Sequence, residues 1–287
     1  MGITAEHFDS DLGRWIHTEW RPGPVDPLGW AVDRVWDFEG RAAHPQERVF
    51  PNGFLELIVQ LDDRYLDVLR GGTRPTPVAC VTGIHSHPVV VRAPRRPCRV
   101  LGVRLHPVGA WVALGHPLHQ LADVTADLDD LLGRAAGELA EQCADVGSGL
   151  ERVRRTVAWL RRRLLGRTVA TPDPAAQWAA RRIAASAGRE AIGSLRAATG
   201  LTGPRLVTLF REQVGVTPKR LARIHRFDRA LSLLTSPGGS IGRAAAEAGY
   251  YDQPHMNAEF RALAGLTPND FLMATRYPGT MSLAEQA

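Results

Sequence analysis

The feature that most restricts what this chain can fold into is a ten-residue stretch that occurs twice. Residues 209–218 read LFREQVGVTP and residues 259–268 read EFRALAGLTP, so Phe, Arg, Gly, Thr and Pro recur at an offset of fifty positions. Self-similarity at a fixed offset signals a duplicated structural unit. In each copy a helix carries the Phe (Phe210, Phe260), a glycine stops it (Gly215, Gly265), and Thr followed by Pro caps and starts the next helix. Upstream of each copy lie a shorter helix and a tight turn. Ile192, Leu195 and Ala198 precede Gly200 in the first unit, and Ile241, Ala244, Ala245 and Ala248 precede Gly249 in the second. The helix after each turn has one inward stripe: Leu206, Leu209, Phe210 and Gln213, then Met256, Phe260 and Leu263. Two short amphipathic helices joined through a glycine turn describe a helix-turn-helix, here found twice in register.

Between the two units, residues 217–234 predict one helix with Leu221, Ile224, Phe227, Leu231 and Leu234 inward and Lys219, Arg220, Arg223, Arg226 and Arg229 largely outward. At about 1.5 Å per residue such a rod spans roughly 27 Å. It can hold two recognition helices about one duplex turn apart, near 34 Å, on one face of DNA.

Residues 178–276, particularly AATGLTGPRLVTLFREQVGVTPKRLARIHRFDRALSLL and AAAEAGYYDQPHMNAEFRALAGLTPNDFL, resemble the tandem helix-turn-helix domain of AraC/XylS-type transcriptional regulators. The resemblance covers roughly a third of the chain and implies sequence-specific binding to promoter DNA. With the stripes inward, the first reading face carries Arg205, Val207, Thr208 and Arg211, and the second carries Gln253, His255, Asn257, Ala258 and Arg261. Regulators of this type commonly place a long polar side chain where this chain has Thr208 and Ala258, so hydrogen-bond readout is expected to be sparse. Gln253 and Asn257 suit adenine edges, Arg205 suits guanine, and Val207, Thr208 and Ala258 suit thymine methyl groups. Arg211 and Arg261 suit phosphate. For His255 and Asn257 a merely solvated position is an equal alternative.

Charge follows the same division. Residues 172–287 carry 14 Lys+Arg against 9 Asp+Glu, whereas residues 1–171 carry 21 of each, so the net +5 belongs to the repeat region. That balance favours phosphate attraction, although it also suits an ordinary solvated surface.

The N-terminal part has period two. Residues 31–38, 54–61, 65–70, 78–84, 89–93 and 99–105 are strand candidates separated by Pro, Gly, Asn and Asp. In FLELIVQL, Leu55, Leu57, Val59 and Leu61 share one face and Phe54, Glu56, Ile58 and Gln60 the other, which suggests an antiparallel barrel or sandwich. In phrases such as VFPNGFLELIVQL and VLGVRLHPVGAWVALG this region is similar to the cupin-like N-terminal sensor domain of some regulators of the same family. That resemblance implies a small-molecule effector held in or at the mouth of a barrel. Trp36, Phe38, Phe54, Glu56, His85, His87 and Arg104 are the candidate effector-binding residues; ordinary structural roles are the alternative for each. His85 and His87 alternate on a strand, as metal ligands can. Cupin metal sites usually add a Glu a few residues later, but Pro88, Val89, Val90, Val91 and Arg92 follow here, so no metal is expected.

Helices are expected at 107–115, 127–143 and 150–165. Leu150, Val153, Val157, Leu160 and Leu164 make a seam that either pairs with a second subunit or packs on the chain's own barrel. Arg152, Arg154, Arg155, Arg161, Arg162 and Arg163 are expected on its solvated outside. Residues 167–174, RTVATPDP, read as a linker, and residues 175–188 as the leading helix of the repeat region. Cys80, Cys98 and Cys143 are odd in number and far apart, which fits reduced, buried thiols. No apolar run approaches the roughly 18 residues of a membrane span, and the acidic N-terminus lacks a signal-like segment, so a cytoplasmic location is expected.

The expected fold class is α+β: an N-terminal antiparallel barrel or sandwich (cupin-like) with following helices, then an all-α tandem helix-turn-helix domain. The expected domains are 1–166 for the sensor with its helical extension, 167–174 for the linker and 175–287 for the DNA-binding domain. The expected function is a DNA-binding transcriptional regulator controlled by an effector, with no catalytic residues and no cofactor. Its expected partners are double-stranded promoter DNA, an unidentified small molecule, RNA polymerase and a second copy of the chain, but no membrane. The alternatives are a metal-dependent cupin-like enzyme fused to a DNA-targeting domain, or an effector-independent regulator. Nucleophile-elbow, P-loop and dinucleotide motifs are missing from the sequence, which weighs against the enzyme.

Overall fold

The alternating hydrophobicity of the first 105 residues becomes strands β1 (Thr4–Ser10), β2 (Gly13–Trp20), β3 (Val32–Ala42), β4 (Gln46–Val49), β5 (Leu55–Gln60), β6 (Leu66–Leu69), β7 (Gly72–Pro75), β8 (Ala79–Thr82), β9 (Val89–Arg92) and β10 (Cys98–Leu105). The structure is a computed structural model, and it describes residues 2–43, 46–166, 170–274 and 282–285. After β10 come α1 (Pro107–Leu114), a 3-10 turn at Leu118–Leu121, β11 (Thr125–Asp127), α2 (Leu128–Leu132), α3 (Arg134–Ala144) and α4 (Gly149–Leu165). The repeat region supplies α5 (Pro174–Ala185), α6 (Ile192–Thr199), α7 (Gly203–Gln213), α8 (Pro218–Thr235), α9 (Ile241–Ala248), α10 (Gln253–Ala264) and α11 (Pro268–Met273), before β12 (Ser282–Glu285).

The strands form two antiparallel sheets, ordered β1-β2-β3-β10-β5-β8-β11 and β12-β4-β9-β6-β7. Alternation decides which side chains face the space between them. Along β5, Leu55, Leu57 and Val59 are buried in the hydrophobic core, whereas Glu56, Ile58 and Gln60 line an internal cavity. Along β3, Trp36 and Phe38 line the cavity, and Asp37 between them points to the other face, where α4 packs.

The hairpin β1-β2, joined edge to edge with β3, precedes the first strand that the alternation suggested. The single helix expected at 127–143 is broken at Gly133 (φ 54°) into α2 and α3. The apolar seam of α4 packs on its own chain: Val153, Leu160 and Leu164 are buried, and the helix lies against β3 and β2. Arg152, expected on the solvated face, is fully buried. Its guanidinium donates to Asp37 Oδ2 (2.6 Å) and Oδ1 (2.8 Å), to Glu39 Oε2 (2.7 Å) and to the Val146 carbonyl (2.8 Å). A buried cation is tolerated only with such complete pairing. Of the expected linker, residues 167–169 lie outside the described residues, and Asp173 already caps α5 by accepting from the Ala175 amide.

The duplicated frame folds as its spacing predicts. Leu206, Leu209, Phe210 and Gln213 of α7 are buried, as are Met256, Phe260 and Leu263 of α10. Thr217 and Thr267 accept from the amides three residues on, with Pro218 and Pro268 at the first helical position. Between the units, α8 buries Leu221, Ile224, Phe227, Leu231 and Leu234. Its outward cations are less free than expected. Arg223 pairs with Glu259 (2.5 Å), Arg226 donates to the Gly188 carbonyl (3.0 Å), and Arg220 pairs with Asp123 of the β domain.

The two halves share one buried cluster. Phe50 packs edge-on against Phe227 of α8 (6.1 Å) and Phe271 of α11 (5.9 Å). Beside it Gly53 approaches His225 so closely that a Cβ there would lie 2.5 Å from the imidazole, so a larger residue would have to push that ring aside. Leu283 of β12 is buried, and β12 pairs antiparallel with β4, so residues 282–285, expected with the repeat region, lie in the β domain's second sheet.

Candidate nucleic-acid interface and internal cavity

In the first unit every residue expected to read DNA is exposed: Arg205, Val207, Thr208 and Arg211 all lie on the free face of α7. Thr208 Oγ donates back to the Pro204 carbonyl (3.1 Å), so its methyl group is left for an outside partner. Val207 is an exposed large apolar side chain on a helix whose other apolar residues are buried.

The second face differs. Gln253, Ala258 and Arg261 are exposed, and Asp252 caps the helix by accepting from the His255 amide (2.8 Å). His255 is exposed, but its Nδ1 accepts from the Tyr251 amide (3.4 Å) and its ring meets Tyr250 edge-on at 5.3 Å, so part of its role is to shape the turn. Asn257 is half-buried, with Oδ1 enclosed and without a hydrogen-bond partner. Tyr251, 93% exposed at the start of α10, joins this face and was missed in the sequence. Its signal was the aromatic of YYDQP standing just before the cap.

The C-terminal ends of both recognition helices rest on the β domain. Gly215, after α7, lies against Leu118, and Arg48 of β4 donates to the Ala264 carbonyl at the end of α10 (3.1 Å). Arg205, Val207, Thr208 and Arg211 on α7, and Gln253, His255, Ala258 and Arg261 on α10, remain exposed, with Asn257 half-buried.

The internal cavity measures about 280 Å³. Of the seven candidate residues, Trp36, Phe38, Phe54, Glu56, His85 and Arg104 line it; His87 does not. Gly102 makes room for Trp36, because a Cβ there would overlap the indole ring. Trp15, His17 and Arg34 also line the cavity and were not singled out from sequence. Trp15 and His17 alternate on β2, so extending the period-two reading to that strand would have found them, and Arg34 shares the face of Trp36 and Phe38 within the strand already expected at 31–38.

Charge inside the cavity is compensated in pairs. Arg104 donates to Glu56 (2.7 Å) and stands over the Phe54 ring at 5.4 Å. Arg34 donates to Glu19 (3.1 Å). Burial raises the Glu19 pKa, but hydrogen bonds from His17, Arg21 and Arg34 outweigh it and bring the carboxyl to about 2. Burial lowers His85 to about 4 against the partial opposition of Asp123, so its imidazole is neutral. Burial likewise pushes the Cys80 thiol, on the cavity wall, up to about 12, which makes it a poor nucleophile. Cys80, Cys98 and Cys143 are all free and buried, as their spacing suggested.

One segment belongs to both sites. Phe50, Pro51, Asn52 and Phe54 line the cavity, while Phe50 and Gly53 form the docking surface for α8. Among the described residues no helix is long and apolar enough to cross a membrane.

Two family models match the chain. Residues 195–274 match a helix-turn-helix domain of the AraC type, and residues 21–127 match a domain of unknown function, DUF6597. No curated protein matches the chain in sequence. Among solved structures, the xylose-binding transcription activator xylR is 25% identical over 39% of this chain and 29% of its own, with a TM-score of 0.32. ToxT from Vibrio cholerae is 8% identical over 95% of this chain and 98% of its own, with a TM-score of 0.48. ToxT from Vibrio cholerae strain SCE256 with a bound unsaturated fatty acid is 11% identical over 83% of this chain and 93% of its own, with a TM-score of 0.44.

Proposed function

Because residues 195–274 are an AraC-type helix-turn-helix domain, we propose that this chain is a sequence-specific transcriptional regulator whose DNA grip is set by a small molecule in the β-domain cavity. The observation that carries the DNA half is the pair of exposed recognition faces at matching positions of a duplicated unit, joined by α8. Double-stranded promoter DNA is the partner, and the chain acts by binding rather than by catalysis, in the cytoplasm.

Lining chemistry supports a particular kind of effector. Aromatic walls from Trp15, Trp36, Phe38 and Phe54 favour an apolar molecule, and Arg34 and Arg104 are already neutralised by Glu19 and Glu56. An uncharged, largely apolar compound small enough for about 280 Å³ fits better than a free carboxylate. The wall segment 50–54 offers the route to α8: a ligand that displaces Phe50 or Phe54 shifts the docking of the repeat region, and the two states differ in DNA affinity.

The test is DNA binding by the full chain to a site selected from random sequence. Gln253→Ala should weaken that site by about 1–3 kcal/mol and relax preference at one base pair. Arg261→Ala should weaken selected and random DNA alike and flatten the salt dependence. Failure to enrich any sequence, with both variants behaving like the parent on random DNA, would overturn the reading.

A further inference from the structure

The cavity wall and the α8 docking surface meet at a cluster of potential metal ligands that sequence adjacency did not reveal. His85 and His87 follow β8, and the carboxylate missing after His87 is supplied by Asp123, from the loop before β11. One ligand atom from each lies within 4.8 Å of the other two. Three features mark this as more than proximity. His85 is only 8% exposed, and neither ring nitrogen has a hydrogen-bond partner, a costly state for a buried imidazole unless something else occupies it. His87 has Nδ1 3.3 Å from the Pro88 carbonyl, which favours Nδ1–H and leaves the Nε2 lone pair, 3.8 Å from Asp123 Oδ1, for a cation. Asp123 is itself held in place: its Oδ1 accepts from the Ser86 amide (2.6 Å) and hydroxyl (2.8 Å), and its backbone is fixed in the left-handed region at φ 61°.

We propose that His85, His87 and Asp123 bind a divalent first-row transition-metal cation, and that this binding competes with the Arg220–Asp123 ion pair tying α8 to the β domain. Two imidazoles and one carboxylate are a donor set suited to zinc, cobalt or iron(II), with at least one coordination position left open. Bonds of about 2.0–2.2 Å place tetrahedral ligands about 3.4 Å apart, so the trio must close by at most about 1.4 Å, and the His87–Asp123 pair by less. His87, exposed and lightly held, has the freedom to do so. Arg220 is the opposing element. Its guanidinium bonds Asp123 Oδ2, the same carboxylate a metal would use, and a doubly charged ion there repels it. Metal occupancy therefore loosens one tie between the β domain and the helix that joins the two DNA-reading units. Because His85 also lines the cavity, the cation and the small-molecule space share a wall.

The experiment uses untagged full-length protein stripped with a chelator and titrated with Co²⁺, followed by visible absorption, and with Zn²⁺, followed by calorimetry. The proposal expects one cation per chain. His87→Ala and Asp123→Asn should each weaken it by more than about tenfold, since even outer partners of metal ligands cost 10–100-fold. Asn tolerates the left-handed backbone and His87 is exposed, so both variants should keep the parent's circular dichroism, with Asp123→Asn melting slightly lower because its ion pair with Arg220 is lost. Arg220→Gln, which removes the competitor but no ligand, should tighten binding several-fold. Absence of stoichiometric binding, binding indifferent to His87→Ala and Asp123→Asn, or binding unchanged or weakened in Arg220→Gln would overturn the proposal.

Discussion

The two helix-turn-helix units keep one frame and diverge in the polar groups placed on it, most consequentially in the first turn of the helix that follows each unit. Position by position, Phe210 and Phe260, Gly215 and Gly265, Thr217 and Thr267, and Pro218 and Pro268 play the same parts. Three residues after each Thr the copies part company. In the second unit the residue is Asp270, whose carboxylate accepts from the Thr267 amide (3.0 Å) and completes a capping box. In the first it is Arg220, which leaves its own helix end and reaches Asp123 of the β domain. The comparison teaches that the duplicated hydrophobic pattern sets the shape, while polar positions outside that pattern were free to specialise. One unit secures its own helix, and the other secures the domain interface.

Removing the shared aromatic is expected to break the equivalence most. Phe210→Ala and Phe260→Ala should each destabilise the fold by about 3–5 kcal/mol, measured by urea unfolding. Phe260 should cost more, because it also meets Phe227 (4.9 Å) and Phe271 (6.3 Å) edge-on, contacts worth about 0.5–1.5 kcal/mol per aromatic pair. Equal losses would show that this aromatic trio adds nothing beyond buried area.

A pH series probes the strap between the units. Burial, with a smaller contribution from His106, lowers His225 to about 4, so it is neutral in the folded state. The unfolded chain takes up that proton near the ordinary value of about 6.5. Stability from this site is therefore complete above about pH 6.5 and declines as pH falls toward 4, by roughly 1–3 kcal/mol. In His225→Gln the slope across that window should flatten; an unchanged slope would place the titration elsewhere.

The smallest expected effect sharpens the divergence itself. Thr267→Ala removes the two bonds of the hydroxyl, one accepted from the Asp270 amide and one donated to its carboxylate, keeps the backbone half of the capping box, and should cost about 1 kcal/mol, whereas Thr217→Ala removes one bond and should cost about half as much. A larger loss at Thr217 would mean that its cap also holds Arg220 in position for Asp123.

Legibility followed range along the chain. Period-two alternation placed Trp36, Phe38, Glu56 and Arg104 on strand faces that close around one cavity, because neighbours two apart share a face whatever lies opposite. The same rule missed His17 because β2 was not read as a strand, whereas Arg34 lay in the strand read at 31–38, on the face of Trp36 and Phe38, and was not singled out there. For His87 alternation was no guide: it belongs to a loop after β8, outside the cavity, where pleat geometry does not hold. Arg152 was misread because an arginine among other arginines looks solvated, and nothing nearby in sequence announces Asp37, 115 positions away.

What the amino-acid order by itself determined is the duplicated frame: its caps, glycine stops and apolar stripes are each written within a few residues and need no distant partner. Only the tertiary structure decided that Arg220 meets Asp123 across 97 positions, that Asp123 comes up beside His85 and His87, and that β12 returns to pair with β4. Such contacts depend on how the sheets close and how α8 docks. Pairings of that kind carry no local periodicity, so they became visible only when the chain was folded.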